Sequence, residues 1–144
     1  MDLISQMRAF QPWNEQEERD REVLLHLLTC GQAPYGREDP AHLTASAWVV
    51  SPDRKQVLMA YHNLYGSWSW LGGHADGERD LCATALREVQ EESGLAEVRP
   101  VSRDIYSVEI LTVDGHEKRG QYVSSHLHLN VTFLLEADPA APVR

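Results

Sequence analysis

Residues 87–94 read Arg-Glu-Val-Gln-Glu-Glu-Ser-Gly and hold three carboxylates, Glu88, Glu91 and Glu92. On a helix, positions i, i+3 and i+4 share one face. Three like charges there repel one another. A helix carries such a face where it is solvated, where a basic side chain lies close, or where a cation binds. Oxygen-rich clusters suit hard cations, and magnesium typically takes one or two carboxylates together with waters and substrate phosphates.

The surrounding pattern predicts a helix over 81–93. On a wheel of about 100° per residue, Cys82, Ala85, Leu86 and Val89 form an apolar stripe, and the glutamates cluster about 120° away. The stripe can be buried while the carboxylates line an open edge. Arg87 precedes Glu91 by four residues and can pair with it. Asp80 is the expected N-cap and Gly94 the C-terminal stop. The glycine-rich loop "LGGHADGERD" enters this helix, and a short strand, "SWSW" at 67–70, precedes the loop.

The remaining elements follow from periodicity. Residues 1–13 are expected to be irregular. Asn14 with Glu17 reads as a capping box for a helix to about Thr29, with Gly31 as its stop and Glu15, Glu17 and Glu18 as a solvated first turn. Residues 32–43 read as a loop. "TASAWVVSPDRKQVLMAYH" reads as two strands about a turn at Pro52, Asp53 and Arg54. Further strands are expected around 105–113 and 125–136, joined by a polar mobile loop. This interleaving predicts a layered α/β domain.

The chain has 144 residues, 42% hydrophobic, with a formal net charge of −9. That length fits one domain spanning 1–144 with a real core. No basic tract appears, which argues against general nucleic-acid binding and against an anionic membrane surface. No apolar run approaches the roughly 20 residues that span a bilayer. Cys30 and Cys82 make neither a disulfide framework nor a zinc spacing, so a reducing, cytoplasmic setting is expected.

The stretch "GGHADGERDLCATALREVQEESGL", 72–95, resembles the signature of the Nudix hydrolases, G-x5-E-x7-R-E-U-x-E-E-x-G-U with U aliphatic. Arg87, Glu88, Val89, Glu91, Glu92, Gly94 and Leu95 match its second half, and Gly73 lies at the right distance upstream. The first signature glutamate falls on Arg79; Glu78 stands one place early, and Glu78 or Asp76 is the expected substitute in supporting the loop and Arg87. Arg79 is expected to point away from Arg87. Nudix domains commonly continue with another strand and helix beyond the strand matching "HLHLNVTFLLEAD", whereas "PAAPVR" closes this chain.

The resemblance implies a Nudix-like α/β/α sandwich with a mixed β-sheet. It implies cleavage of the diphosphate linkage in a nucleoside diphosphate joined to another group, by metal-assisted attack of water on phosphorus. It assigns the metal, Mg2+ or Mn2+, to Glu88, Glu91, Glu92 and the backbone of Gly73. Glu91, Glu92 and Arg87 are the catalytic candidates, one glutamate doubling as base. The expected partner is a small nucleotide-type substrate; oligomeric state is not set, and a homodimer is one option. Substrate-binding candidates are His74, Trp70, His126, His128 and Glu117. His126 and His128 alternate on one strand face with Asn130, which reads equally as an ordinary polar sheet face. Trp68, Trp70, Tyr61 and Tyr65 could stack on a base, with core packing expected for at least half of them. The alternative is a non-catalytic Nudix-fold nucleotide-binding or sensor module; three intact glutamates and the lack of a basic extension argue against it. A calcium-binding protein would need an Asp-rich loop that is missing.

Overall fold

The computed structural model describes residues 2–30, 34–63 and 66–144, so the expectations for Gly31 and Tyr65 lie outside the described residues. In chain order the elements are α1 (Leu3–Ala9), α2 (Glu15–Thr29), β1 (Ala41–Val50), β2 (Val57–Leu58), β3 (Ala60–His62), β4 (Ser67–Ser69), β5 (Leu71–His74), α3 (Leu81–Ser93), β6 (Arg99–Pro100), β7 (Ser107–Val113), β8 (His116–Lys118), β9 (Gln121–Val123) and β10 (His126–Glu136). None of the described helices is long and apolar enough to cross a membrane.

A six-stranded mixed sheet organises the fold, and the architecture is α/β as expected. β1 and β10 pair in parallel from Ala41↔Leu127 to Val50↔Glu136. β5 and β2 lie antiparallel along the outer side of β1, and β7 and β6 along the outer side of β10. Successive strand side chains point to opposite faces. Leu43, Ala45, Ala47 and Val49 therefore join Leu129, Val131, Phe133 and Leu135 in the hydrophobic core. The opposite alternation carries His42, Thr44 and Ser46 on β1, in register with His128, Asn130 and Thr132 on β10.

The helix carrying the glutamates spans the expected residues. Asp80 accepts from Ala83 N at its start, and Gly94 ends it at φ 77°, a left-handed conformation that glycine adopts without strain. Leu81, Cys82, Ala85 and Val89 are buried.

Five expectations need correction. The first residues of the expected glycine-rich loop, Leu71–His74, are strand β5, paired with β1. Residues 3–9 are helical, not irregular: Asp2 caps α1, and Leu3, Met7 and Phe10 enter the core at helical spacing. A seven-residue helix offers too few turns for periodicity to register. β1 starts at Ala41, immediately after Pro40, and so takes in His42 from the presumed loop. The polar stretch between β7 and β10 is no mobile loop but carries the hairpin β8–β9, whose turn residues Arg119 and Gly120 have φ 51° and 78°. Finally, the first turn of α2 is not wholly solvated. Glu17 is buried; its carboxylate accepts from Trp13 N at 3.0 Å, Ser107 Oγ at 2.8 Å and Val108 N at 2.9 Å. One turn on, Asp20 accepts from Ile110 N at 3.1 Å.

Helix α2 thus supplies, through carboxylates, the acceptors that β7 lacks on its outer side. Trp13 reinforces the joint by donating its indole N–H to Tyr106 O at 2.8 Å. Removing the Glu17 carboxylate leaves the buried Val108 amide and the half-buried Ser107 hydroxyl without this acceptor. Glu17→Ala is expected to lower unfolding stability by about 2–3 kcal/mol, read from urea or thermal melts. Alanine at the exposed Glu15 should change it by less than about 0.5 kcal/mol.

Candidate active site

Two adjacent glycines bring α3 onto the sheet. Gly72 and Gly73 lie on β5, opposite Ser46 and Ala45 of β1. A Cβ on Gly72 would stand 2.5 Å from the carbonyl oxygen of Ala45, so that position is closed by backbone. A Cβ on Gly73 would stand 2.5 Å from the Glu88 carboxyl carbon, so that space is taken by the carboxylate itself. Gly72 N donates to Glu92 Oε1 at 3.0 Å. The Glu88 and Glu92 carboxylates therefore converge on one short stretch of backbone. The Glu92 side chain is largely exposed, but its carboxyl end is partly desolvated there. That desolvation, with the neighbouring Glu88 charge, raises its pKa above the ordinary carboxylate value although the Gly72 amide opposes the shift.

Arg87 serves the same cluster. Its Nη2 lies 3.6 Å from Glu88 Oε1 and its Nε 4.0 Å from Glu91 Oε1. Glu88 is mostly covered, with 21% of its side chain exposed, whereas Glu91 has 62%. Glu91 is thus far more solvated than Glu88. The donor set, carboxylate oxygens above a backbone approached at van der Waals range, is hard and anionic. It fits Mg2+ or Mn2+ better than a soft ion.

The loop into α3 is held differently from expectation. Asp76 does not take Arg87 as its partner; it forms a two-pronged pair with Arg37, at 2.9 and 2.6 Å. That pairing holds its pKa below the usual carboxylate value. Glu78 accepts from Asp80 N at 2.9 Å and so braces the start of the helix. Arg79 lies over the Tyr35 ring, 4.3 Å from its centroid. Asp76 and Gly77, at φ 47° and 90°, form the tight turn closed by Glu78 N donating to Ala75 O.

Beside the glycines opens a cavity of about 810 Å3. Gly72 and Gly73 line it, as do the expected substrate contacts Trp70, His74, Glu117, His126 and His128. Sequence reasoning missed His42, Arg37 and Lys118, which also line it. Six of the seven histidines of the chain face this one space: 42, 62, 74, 116, 126 and 128. His74 and His128 are pushed down to about 4, chiefly by burial and next by nearby positive groups, and are neutral near pH 7. The polar sheet face below is internally bonded, with Thr44 and Ser46 both donating to Asn130 Oδ1 at 2.9 and 2.7 Å. The aromatic expectation changes as well. Tyr61, Trp68 and Trp70 are 51%, 65% and 40% exposed, so none of these three is core. Tyr61 and Trp68 instead pack edge to face across β3–β4, and Trp70 reaches the cavity.

Among curated proteins no sequence matches. Solved structures similar to the chain include a C. elegans Ap4A hydrolase, 19% identical over 71% of this chain and 72% of that one, TM-score 0.46. The E. coli dihydroneopterin triphosphate pyrophosphohydrolase is 17% identical over 77% of each chain, TM-score 0.48. A NUDIX-family hydrolase from Clostridium perfringens is 18% identical over 72% of each, TM-score 0.44. A family model described as the NUDIX domain matches residues 40–140, which include the cavity, the glycine pair and α3. The chain belongs to the NUDIX family.

Proposed function

We propose that the protein is a divalent-metal-dependent pyrophosphohydrolase that cleaves the diphosphate linkage of a nucleoside diphosphate joined to another group. The observation that carries this reading is the convergence of Glu88 and Glu92 on Gly72–Gly73, a backbone stretch that also lines the large cavity. Glu88, Glu92 and the Gly73 backbone, with Glu91 at the solvent edge, would hold Mg2+ or Mn2+. When bound, the metal neutralises phosphate charge and lowers the pKa of an associated water.

The protein groups divide the remaining work. Glu92, held beside the glycine pair by the Gly72 amide, is the candidate to take a proton from the attacking water. Arg87 orients Glu88 and Glu91. Lys118 brings positive charge to the cavity wall of an otherwise acidic chain, where phosphate oxygens need it, with Arg37 nearby already paired to Asp76. Trp70, exposed at the cavity, offers a face for a base. Neutral His74 and His128 can hydrogen-bond a substrate without adding charge.

Incubation with Mg2+ or Mn2+ and a panel of nucleoside triphosphates, dinucleoside polyphosphates, ADP-ribose and sugar nucleotides tests this reading. Product analysis should show scission at a diphosphate bond. Tight nucleotide binding without turnover across the panel would favour the sensor alternative.

Three further outcomes are expected. Glu92→Gln keeps an acceptor for the Gly72 amide but loses the base and one charge. It should reduce turnover by about 10²–10⁴-fold with an unchanged melting temperature; parent-like turnover would remove Glu92 from the mechanism. The glycine pair separates architecture from chemistry. Gly73→Ala displaces a flexible carboxylate and should lower metal affinity and turnover with little loss of stability. Gly72→Ala strikes backbone and should lower the melting temperature first. Lastly, a cation held by the folded state alone stabilises it by about 2.7 kcal/mol at a hundredfold excess over Kd, a shift of about 5–10 °C for this size. Mg2+ should produce this shift beyond a sodium control of equal ionic strength, and Glu88→Gln should reduce it.

A further inference from the structure

Within the cavity, His42, His74 and His128 each bring one ring nitrogen into a group whose members all lie within 4.8 Å of one another. The three come from neighbouring strands of the rigid sheet. His42 on β1 stands directly across from His128 on β10, and His74 on β5 pairs with Thr44, two residues along. Two nitrogens on one tetrahedral zinc, each bonded at about 2.0–2.1 Å, stand about 3.3 Å apart. Closing from the observed spacing takes small rotations of His74 and His128, both only partly buried.

The hydrogen bonds around the cluster decide which nitrogens carry lone pairs. His42 is 2% exposed, and its Nδ1 lies 2.9 Å from Asp39 O. A carbonyl only accepts, so in the neutral ring Nδ1 carries the proton and Nε2 the lone pair. That Nε2 is buried and has no hydrogen-bond partner. A buried imidazole acceptor with nothing to accept is an unmet demand in an apo site and a ready ligand in a filled one. His126 Nδ1 likewise faces Ser124 O at 2.8 Å, so its Nε2 accepts, and the proton of its 3.2 Å contact with His128 Nε2 belongs to His128. With Nε2 engaged in this way, Nδ1 carries the lone pair that His128 can offer a metal.

We propose that His42, His74 and His128 form a second cation site, selective for a zinc-class divalent transition metal and separate from the carboxylate site on α3. Imidazole donors favour zinc, nickel, cobalt and copper over magnesium, which prefers carboxylate and water. With three protein ligands, a coordination position faces the cavity, where a phosphate oxygen or a water can enter. The two sites are divided by donor chemistry and share the space in which substrate would lie. This inference does not depend on the hydrolase reading, and metal binding is measured without turnover.

The experiment titrates the chelator-stripped full-length chain with Co2+, an optical probe for zinc-class sites, in millimolar Mg2+. Visible absorption, calorimetry and bound-metal analysis are read together. One equivalent of Co2+ should bind despite the magnesium, and Zn2+ should displace it. His74→Ala and His128→Ala should each weaken binding by more than about tenfold, since loss of an outer contact alone costs about 10–100-fold. The Glu88→Gln/Glu92→Gln variant should retain the site. His42 is buried and its replacement could unfold the protein, so the two half-buried histidines carry the test, with melts confirming that each variant is folded. The proposal is overturned by absence of the magnesium-resistant equivalent, by equal binding in the folded histidine variants, or by its loss with the glutamates. It is equally overturned if inorganic phosphate, and not cobalt, is what these histidines bind.

Discussion

The parallel pairing of β1 with β10 is the constraint on which the rest depends. It joins residues more than eighty positions apart in sequence and sets which side chains meet, from Ala41↔Leu127 to Val50↔Glu136. A slip of one residue would exchange the two faces of a strand. Leu129, Val131 and Phe133 would then enter the cavity, and His128 and Asn130 would enter the core. The in-register pairing of Thr44 with Asn130 gives the sheet a polar side that is buried and bonded there, while His42 next to it keeps an unpartnered Nε2. The aliphatic side meets the hydrophobic core that the helices share.

From that frame helix α3 needs only one further condition, close approach to β5. Gly72 and Gly73 meet it at adjacent positions for different reasons, one yielding to the backbone of β1 and the other to a glutamate. The result places repelling carboxylates against a strand that offers a single amide, from Gly72 to Glu92, as compensation. Arg87 offsets part of the remaining charge at 3.6–4.0 Å. Because Arg87 is itself partly exposed, this pairing is modest in strength.

What was legible in the sequence was what local signals encode. Helix α3 could be bounded at both ends because its cap, its apolar stripe and its glycine stop lie within fifteen residues of one another. The spacing of the signature residues carried the family. His42 was hidden because Pro40 made the segment read as a loop, although proline is common at the first edge of a strand. The hairpin at His116–Val123 was hidden because its strands are polar, while its Arg-Gly turn was a usable cue. Glu17 could be recognised as a helix-capping residue but not as the buried acceptor for a strand some ninety residues later, since no local pattern records a tertiary hydrogen bond. The convergence of six histidines is likewise a product of topology, gathered from segments that share no sequence period.

The acids of α2 that serve β7 have a consequence for how copies of the molecule can meet. An open edge strand is a template on which a second chain can continue the sheet. Here the outward amides of Val108 and Ile110 are already committed to Glu17 and Asp20. An incoming strand would have to displace the helix to reach these two amides, and its own carbonyls would first meet two carboxylates. The molecule is thereby protected along this margin against runaway intermolecular sheet growth, by charge and by prior occupation, without a proline or a bulge to interrupt the strand.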